Sequence, residues 1–369
     1  MFIIQRCYLV AVSTPDLDSA YRIFSVLNDR GMELSHTDIL KADIIGSMPE
    51  DHQDNYTNRW EETEEDLGRG TFQTLFGHIR MIRQKAKARD SLLKELRDYV
   101  NPSAEPKKFM DETLLPMAQA FGEIRGRSYE SDRLSGDINR LMRWLSRIDN
   151  VDWESPAILY LSRHRQNPEQ LLRFFRDLER LAASMMIRRA NINHRLERYG
   201  RLLRAIESEV DLYHEDSPLQ LKDDERKHIL EILAGNLYNM PRIPRPVLLR
   251  LDEALSEGEA RYDHGVISIE HVLPQHPPAN SQWLEWFPDE EQREAWTHRL
   301  GNLVLLSKRK NSQARNFDFE RKKREYFQRQ GVTSFAITTE VINAKEWTLE
   351  ILEERQNRLM ETLSRIWRL

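Results

Sequence analysis

The sequence is short of several things at once. It has a single cysteine, Cys7, in 369 residues, which rules out an internal disulfide and any cysteine-built zinc site. Glycine (14) and proline (15) are scarce, too few for the many turns of an all-β protein, so helices are expected to dominate. The longest unbroken apolar run, Cys7 to Val12, is six residues, against the roughly 20 that a membrane-crossing helix needs. The residues after Met1 offer neither a basic n-region nor a small-residue cleavage site, so a cytoplasmic chain without a secretory signal is expected. A whole-molecule basic field is missing too. Lys and Arg number 55 against 60 Asp and Glu, a formal charge of −5, so any contact with nucleic acid has to come from a local patch. What is present, 40% hydrophobic and 31% charged residues, is the composition of globular domains with buried cores, and the length allows about two or three of them.

The patterning is helical over most of the chain. Phe2 to Val12 reads as a β-prone run. Thr14-Pro15-Asp16 then has a hydroxyl cap, a proline suited to the first helical position and an acid favoured by the helix dipole. Ala20, Ile23, Phe24 and Leu27 follow at helical spacing, and Gly31 suits a left-handed stop. Ser35 to Asp38 can cap a second helix with Ile39, Leu40 and Ile44 on its apolar face. Further stripes are Leu171, Phe174, Leu178, Leu181 and Met185, and then Ile229, Leu230, Ile232 and Leu233. Breaks fall at Asn101-Pro102, near Asn167-Pro168, at Ser217-Pro218 and from Pro241 to Pro246. A helix through Val247, Leu248, Leu251 and Leu255 precedes a change of texture. Val266 to Glu270 reads as a strand, a loop with Pro274, Pro277 and Pro278 follows, and Leu303 to Leu306 reads as a second strand. A helix is expected from about Lys308 or Phe317. The last helix, around Trp347 to Trp367, turns Leu352, Leu359, Met360, Leu363 and Ile366 inward. The expected fold is mostly α with a small strand–loop–strand–helix insert near the C-terminus.

That insert holds the residues able to do chemistry. Cutting a phosphodiester requires a base for the attacking water and positive charge for the phosphate and leaving oxygens. His271 can be the base, and Glu270, its neighbour on the strand, offers a carboxylate to a hard cation such as Mg²⁺. Asn311 offers an amide oxygen to the same ion, and Asn302 can brace the loop after His271 by bonding its backbone. Each residue also has an ordinary reading: a strand-end histidine, a turn asparagine, a helix cap. His264, His276 and His298 lie nearby, but their spacing matches no regular zinc pattern. From Arg299 to Arg329 ten basic residues meet only Asp318, Glu320 and Glu325, a local surplus able to meet phosphates.

Together, Glu270-His271, Leu273-Pro274-Gln275, Leu300-Gly301-Asn302-Leu303 and Asn311 resemble the ββα-metal (HNH, or His-Me finger) nucleases. More narrowly they resemble the C-terminal domain of GmrSD-type, modification-dependent restriction endonucleases, whose tail Asn316-Phe317 and Lys322-Lys323 also match. The resemblance implies a Mg²⁺- or Mn²⁺-dependent DNA endonuclease with His271 as general base, Glu270 and Asn311 as metal ligands and Asn302 as the bracing asparagine. Glutamate where many HNH enzymes have aspartate is a departure from the pattern. Lys308, Arg309, Lys310, Arg315, Asn316, Lys322 and Lys323 are the expected DNA contacts. Ile23 to Gly31, Leu34-Ser35 and Asp38 to Lys41 resemble the end of the same family's ParB-like N-terminal domain, whose Asp-Gly-Gln-Gln-Arg nucleotide motif does not occur. The expected organisation is a remnant of that domain over residues 1–48, a helical middle over 49–245 and an HNH-like domain over 246–369. Nucleotide is therefore not expected as a cofactor. DNA, a separate nucleotide-binding subunit and a second copy of the chain are the partners this reading admits, with no membrane. The competing reading is a truncated, non-catalytic module that binds DNA or a partner.

Overall fold

The computed structural model describes residues 35–256, 262, 266–307, 316–327 and 335–369. The expected strand over residues 2–12, the first expected helix and the Asn28–Gly31 segment lie outside the described residues, as do Lys308, Arg309, Lys310, Asn311 and Arg315. The described chain is mostly α-helical, with a two-stranded sheet near its C-terminal end. None of its helices is long and apolar enough to cross a membrane. Its described residues divide into two compact units: 35–140, 152–174 and 192–212 form the first, and 141–151, 175–191 and those from 213 onward the second.

In the first unit, local signals fix the helix ends. Ser35 caps His36–Gly46 with a capping box, its own N–H donating to Asp38 Oδ2 at 2.7 Å while Asp38 N donates to Ser35 Oγ at 3.2 Å. Ile39, Leu40 and Ile44 are buried behind it. Gly68 alone joins Glu50–Leu67 to Arg69–Gln84, at φ 74°, where a side chain would be strained. The turn sets Trp60 against Phe72 and Phe76, with ring centroids 5.2 and 5.7 Å away. Asn101-Pro102 interrupts the helices as expected, between turns Leu96–Val100 and Pro106–Phe109. Of the apolar stripe on helix Pro168–Ile187, Leu171 and Phe174 belong to this unit and Leu178, Leu181 and Met185 to the second, and all five are buried.

In the second unit, strands β1 (Ser268–His271) and β2 (Leu303–Leu306) lie among four helices: Pro244–Leu255 and Ala336–Asn343 pack on β2, and Leu349–Trp367 packs on the turn Leu300–Asn302 and on Asp223–Ala234. The strands are antiparallel, pairing Ser268 with Leu306 and His271 with Leu303. β1 starts two residues later than the apolar pattern suggests and takes in His271; β2 has the expected bounds. Among the described residues after β2 an α-helix runs over Phe319–Lys322, two residues past the later expected start at Phe317, and the earlier expected start at Lys308 lies outside the described residues. Val272, Leu273, Trp283, Phe287, Val304, Leu306, Phe319, Trp347 and Leu352 share one apolar core beneath the strands.

Two strands of four residues are too few to be stable alone, and their open edge must find donors elsewhere. Helix Leu349–Trp367 supplies them. Leu352, Leu359 and Leu363 turn inward as expected, but Met360 and Ile366 are only half-buried, and Arg355, Gln356, Thr362 and Trp367 are buried instead. Arg355, 2% exposed, donates to the carbonyls of Gly301, Leu303 (3.3 Å) and Ile337 (2.9 Å) and meets Glu340 at 3.4 Å. Burial pulls its pKa down to about 10, against the opposing pull of Glu340, so it stays charged at neutral pH. Thr338 Oγ donates to Leu305 O at 2.6 Å and accepts from Leu305 N at 3.2 Å. Gly301 N donates to Gln356 Oε1 at 2.6 Å, and a Cβ on Gly301 would lie 2.9 Å from the Leu352 carbonyl. The turn before β2 can approach this helix so closely because it carries no side chain there.

Arg355→Met is accordingly expected to cost on the order of 3–5 kcal/mol, because three buried carbonyls lose their donor. Glu340→Gln, at a carboxylate 26% exposed, should cost about 1 kcal/mol or less. Urea unfolding followed by circular dichroism measures both, and equal midpoints for the two variants would contradict this account of the sheet edge.

Candidate functional site

Glu270 and His271 close β1 opposite Val304 and Leu303. Alternation along a strand turns them to opposite sides, and both are buried, at 3% and 4% exposure. Aromatic and polar groups cover His271. The Tyr238 ring meets it edge-on at 4.1 Å, and His298 Nδ1 is 3.2 Å from His271 Nε2, so one of these two nitrogens carries the shared hydrogen. Tyr238 also holds His298: the two rings stack at 5.6 Å and 12°, and Tyr238 N donates to His298 O at 3.0 Å. Burial makes His298 harder to protonate than an ordinary imidazole, so it is neutral at neutral pH. His298 in turn lines a cleft of about 680 Å³ together with Asn236, Asn239, Gln275, His276 and Arg293.

Asn302, fully buried, is the brace that its position suggests. Its Oδ1 accepts from Leu273 N at 2.7 Å, and its Nδ2 donates to Leu273 O at 3.0 Å and to Thr297 O at 2.8 Å. Its own carbonyl accepts from Val272 N at 2.9 Å. One amide thus ties the chain leaving His271 to the turn that precedes β2 and to the segment carrying His298.

The basic stretch is used differently from what its charge count suggests. Lys322 does not lie on a DNA-facing surface: it is fully buried, and Nζ donates to the carbonyls of His271 (2.5 Å) and Val272 (3.1 Å). Lys323 is also drawn inward, donating to Ala344 O at 2.7 Å and pairing with Glu320 at 2.6 Å. The physical reason is shared. Carbonyls at a strand end and at a helix terminus need donors, and a long basic side chain reaches them while packing its stem, here against Phe319 for Lys323. Arg321 and Arg324 are exposed and both bond Glu325. Asn316 is exposed. Lys308, Arg309, Lys310, Arg315 and Asn311 lie outside the described residues, so the structure brings together Glu270, His271 and Asn302 of the expected set.

Residues 220–362 match the family described as GmrSD restriction endonucleases, C-terminal domain. This segment is similar to the GmrSD-type C-terminal domain. The match points to nuclease function of the restriction-endonuclease kind, with DNA as the substrate class. No curated protein matches the chain. The matched segment contains β1, β2, the His271–His298 pair, the Asn302 brace and Arg355. Three residues packed around the candidate site drew no role from the sequence. His298 had a faint signal in its closeness to Leu300-Gly301-Asn302; Tyr238 and Arg355 had none, since each meets the site through chain packing.

Replacing Asn302 tests the brace. Asn302→Ala should cost about 2–4 kcal/mol, since Leu273 and Thr297 lose partners in a dry site. Asn302→Asp should be at least as damaging at neutral pH, where a carboxylate would face two carbonyls. Its folded-state pKa would be raised, so stability should return as pH falls through that value and the acid regains a donor. Urea midpoints that fall for Asn302→Asp on acidification, in parallel with the unsubstituted chain, would contradict this.

Proposed function

We propose that the chain is a metal-dependent endonuclease that hydrolyses phosphodiester bonds in DNA and acts in the restriction of foreign or modified DNA, a role in phage defence. The observation that carries this reading is the combination around His271: an imidazole at a strand end, its following loop pinned by Asn302, its ring hydrogen-bonded to a second histidine on the wall of an open polar cleft. An unbraced surface histidine would need none of these supports.

In this reading His271 takes the proton of the attacking water as the water oxygen bonds to phosphorus and the far phosphorus–oxygen bond breaks. His298 keeps the imidazole oriented and leads from it to the cleft. Glu270 and Asn311 are the ligands of an HNH-type site. Their donors fit the ion: a carboxylate and an amide oxygen are hard ligands suited to Mg²⁺ or Mn²⁺, and few protein ligands suffice when substrate phosphate completes the shell. When bound, the cation supplies positive charge to the phosphate and leaving oxygens. Lys308, Arg309, Lys310, Arg315 and Asn316 remain the proposed phosphate contacts, which give affinity without sequence preference.

One observation favours the competing reading of a non-cutting DNA-binding module, the burial of both Glu270 and His271. Plasmid cleavage separates the two. The unsubstituted chain should cut with Mg²⁺ or Mn²⁺ and stop on chelation. His271→Ala should slow cutting by about 100-fold or more, and Glu270→Ala should abolish cutting while leaving DNA binding intact. Binding should weaken steadily as salt rises from low to physiological levels. DNA binding without any His271-dependent cutting would sink the enzyme reading and leave the binding module.

A further inference from the structure

The first unit holds a cleft that the nuclease reading does not use. An α-helix closes each hydrogen bond over four residues, but the chain closes over five at Leu96–Val100, where Asn101 N donates to Leu96 O at 2.8 Å, and again at Met110–Leu114, where Leu115 N donates to Met110 O. Such π-turns are rare and occur frequently at functional sites, where the extra residue re-aims a side chain. Both of these open onto one cleft of about 630 Å³, the first contributing Tyr99 and the second Glu112 and Thr113. Between them Asn101 adopts φ 46°, the left-handed region. The volume is that of a site for a nucleotide-sized molecule.

The charges in the wall are selective. Glu105 is met by Lys108 at 3.4 Å, and Glu207 by Lys85 at 2.5 Å. Arg83 and Arg163 line the same cleft, are exposed, and have no carboxylate within ion-pair distance among the described residues. Among the described residues the Arg83 guanidinium hydrogen-bonds Thr113 Oγ1 at 3.5 Å, and that of Arg163 the carbonyl of Ile206 at 3.4 Å. Two guanidiniums without acidic partners in one concavity suit an oxyanion with several acceptor oxygens. Tyr99, 55% exposed, is one of the few large apolar side chains left open to water among the described residues. An open aromatic ring beside cationic groups is a stacking platform for a base. An acidic peptide would satisfy the arginines and leave this ring unused.

We propose that this cleft binds a nucleotide unit, its phosphate on Arg83 and Arg163 and its base on Tyr99, with Glu112 accepting from a sugar hydroxyl or an exocyclic amine. The unit belongs either to a free nucleotide or to a nucleic-acid strand, since both present the same phosphate and base. The assignment does not depend on the nuclease reading, and its test runs in the His271→Ala background so that no strand is cut.

Two probes are titrated against the full chain by fluorescence anisotropy: a fluorescein-labelled 12-mer of single-stranded DNA and a fluorescent purine nucleoside triphosphate. At least one should bind. Its affinity should fall about tenfold in Tyr99→Ala, the loss of one stacked base, and at least as much in the Arg83→Ala/Arg163→Ala pair. Tyr99→Phe keeps the ring and should bind normally, which separates stacking from misfolding. Binding of the triphosphate identifies a free-nucleotide site, and binding of the oligonucleotide alone identifies a strand site. An oligonucleotide carrying 5-iododeoxyuridine should photo-crosslink to Tyr99 in the strand case, as read by mass spectrometry. Affinities unchanged by both variants for both probes, or no binding of either, would overturn the assignment. Failure of plasmid cutting would leave it standing.

Discussion

The second unit depends on how a very small sheet obtains its missing hydrogen bonds. Four residues in each of two strands leave most backbone groups of β1, β2 and their flanking turns without a ladder partner. Side chains from other elements take over: Asn302 for the chain leaving His271, Lys322 for the carbonyls of His271 and Val272, Thr338 for Leu305, Arg355 for Gly301 and Leu303. Each donor or acceptor is buried, so each bond acts where water cannot compete and its loss leaves an unsatisfied group. The position of Glu270 and His271 is therefore a property of the whole unit, since two strands alone could not hold it.

This arrangement explains why three of the basic residues in the last third of the chain, Lys322, Lys323 and Arg355, lie inside rather than on an exposed face. Lys322, Lys323 and Arg355 carry positive charge into the interior because carbonyl oxygens there accept strong, charge-assisted bonds. The same need organises the surroundings of His271, where a second imidazole and a tyrosine ring take positions that apolar side chains could not fill with matching polarity. In the proposed nuclease reading, His271 gains from neighbours that are rigid and hydrogen-bonded.

Much of the fold was legible because it is written in short-range signals. The Ser35–Asp38 capping box, the stripe from Leu171 to Met185, the break at Asn101-Pro102 and the second strand at Leu303–Leu306 each rest on residues within a turn or two of one another. Asn302 was legible as a brace because an asparagine preceding a strand has few other backbone groups to satisfy. The start of β1 was read two residues early because Val266 is apolar; it is exposed, so its apolarity carried no information about pairing.

By itself the sequence determined a mostly helical chain, its helix caps and stripes, the two short strands and the adjacency of Glu270 and His271, because propensity, capping and periodicity act over a few residues. Only the tertiary structure decided that Lys322 bonds a carbonyl 51 positions away, that Arg355 closes the sheet edge across 54, and that His298 meets His271 across 27. Those partners are selected by which buried acceptor lacks a donor once the chain has packed. That shortage arises only when distant segments exclude water from the same place, and no local pattern of residues records it.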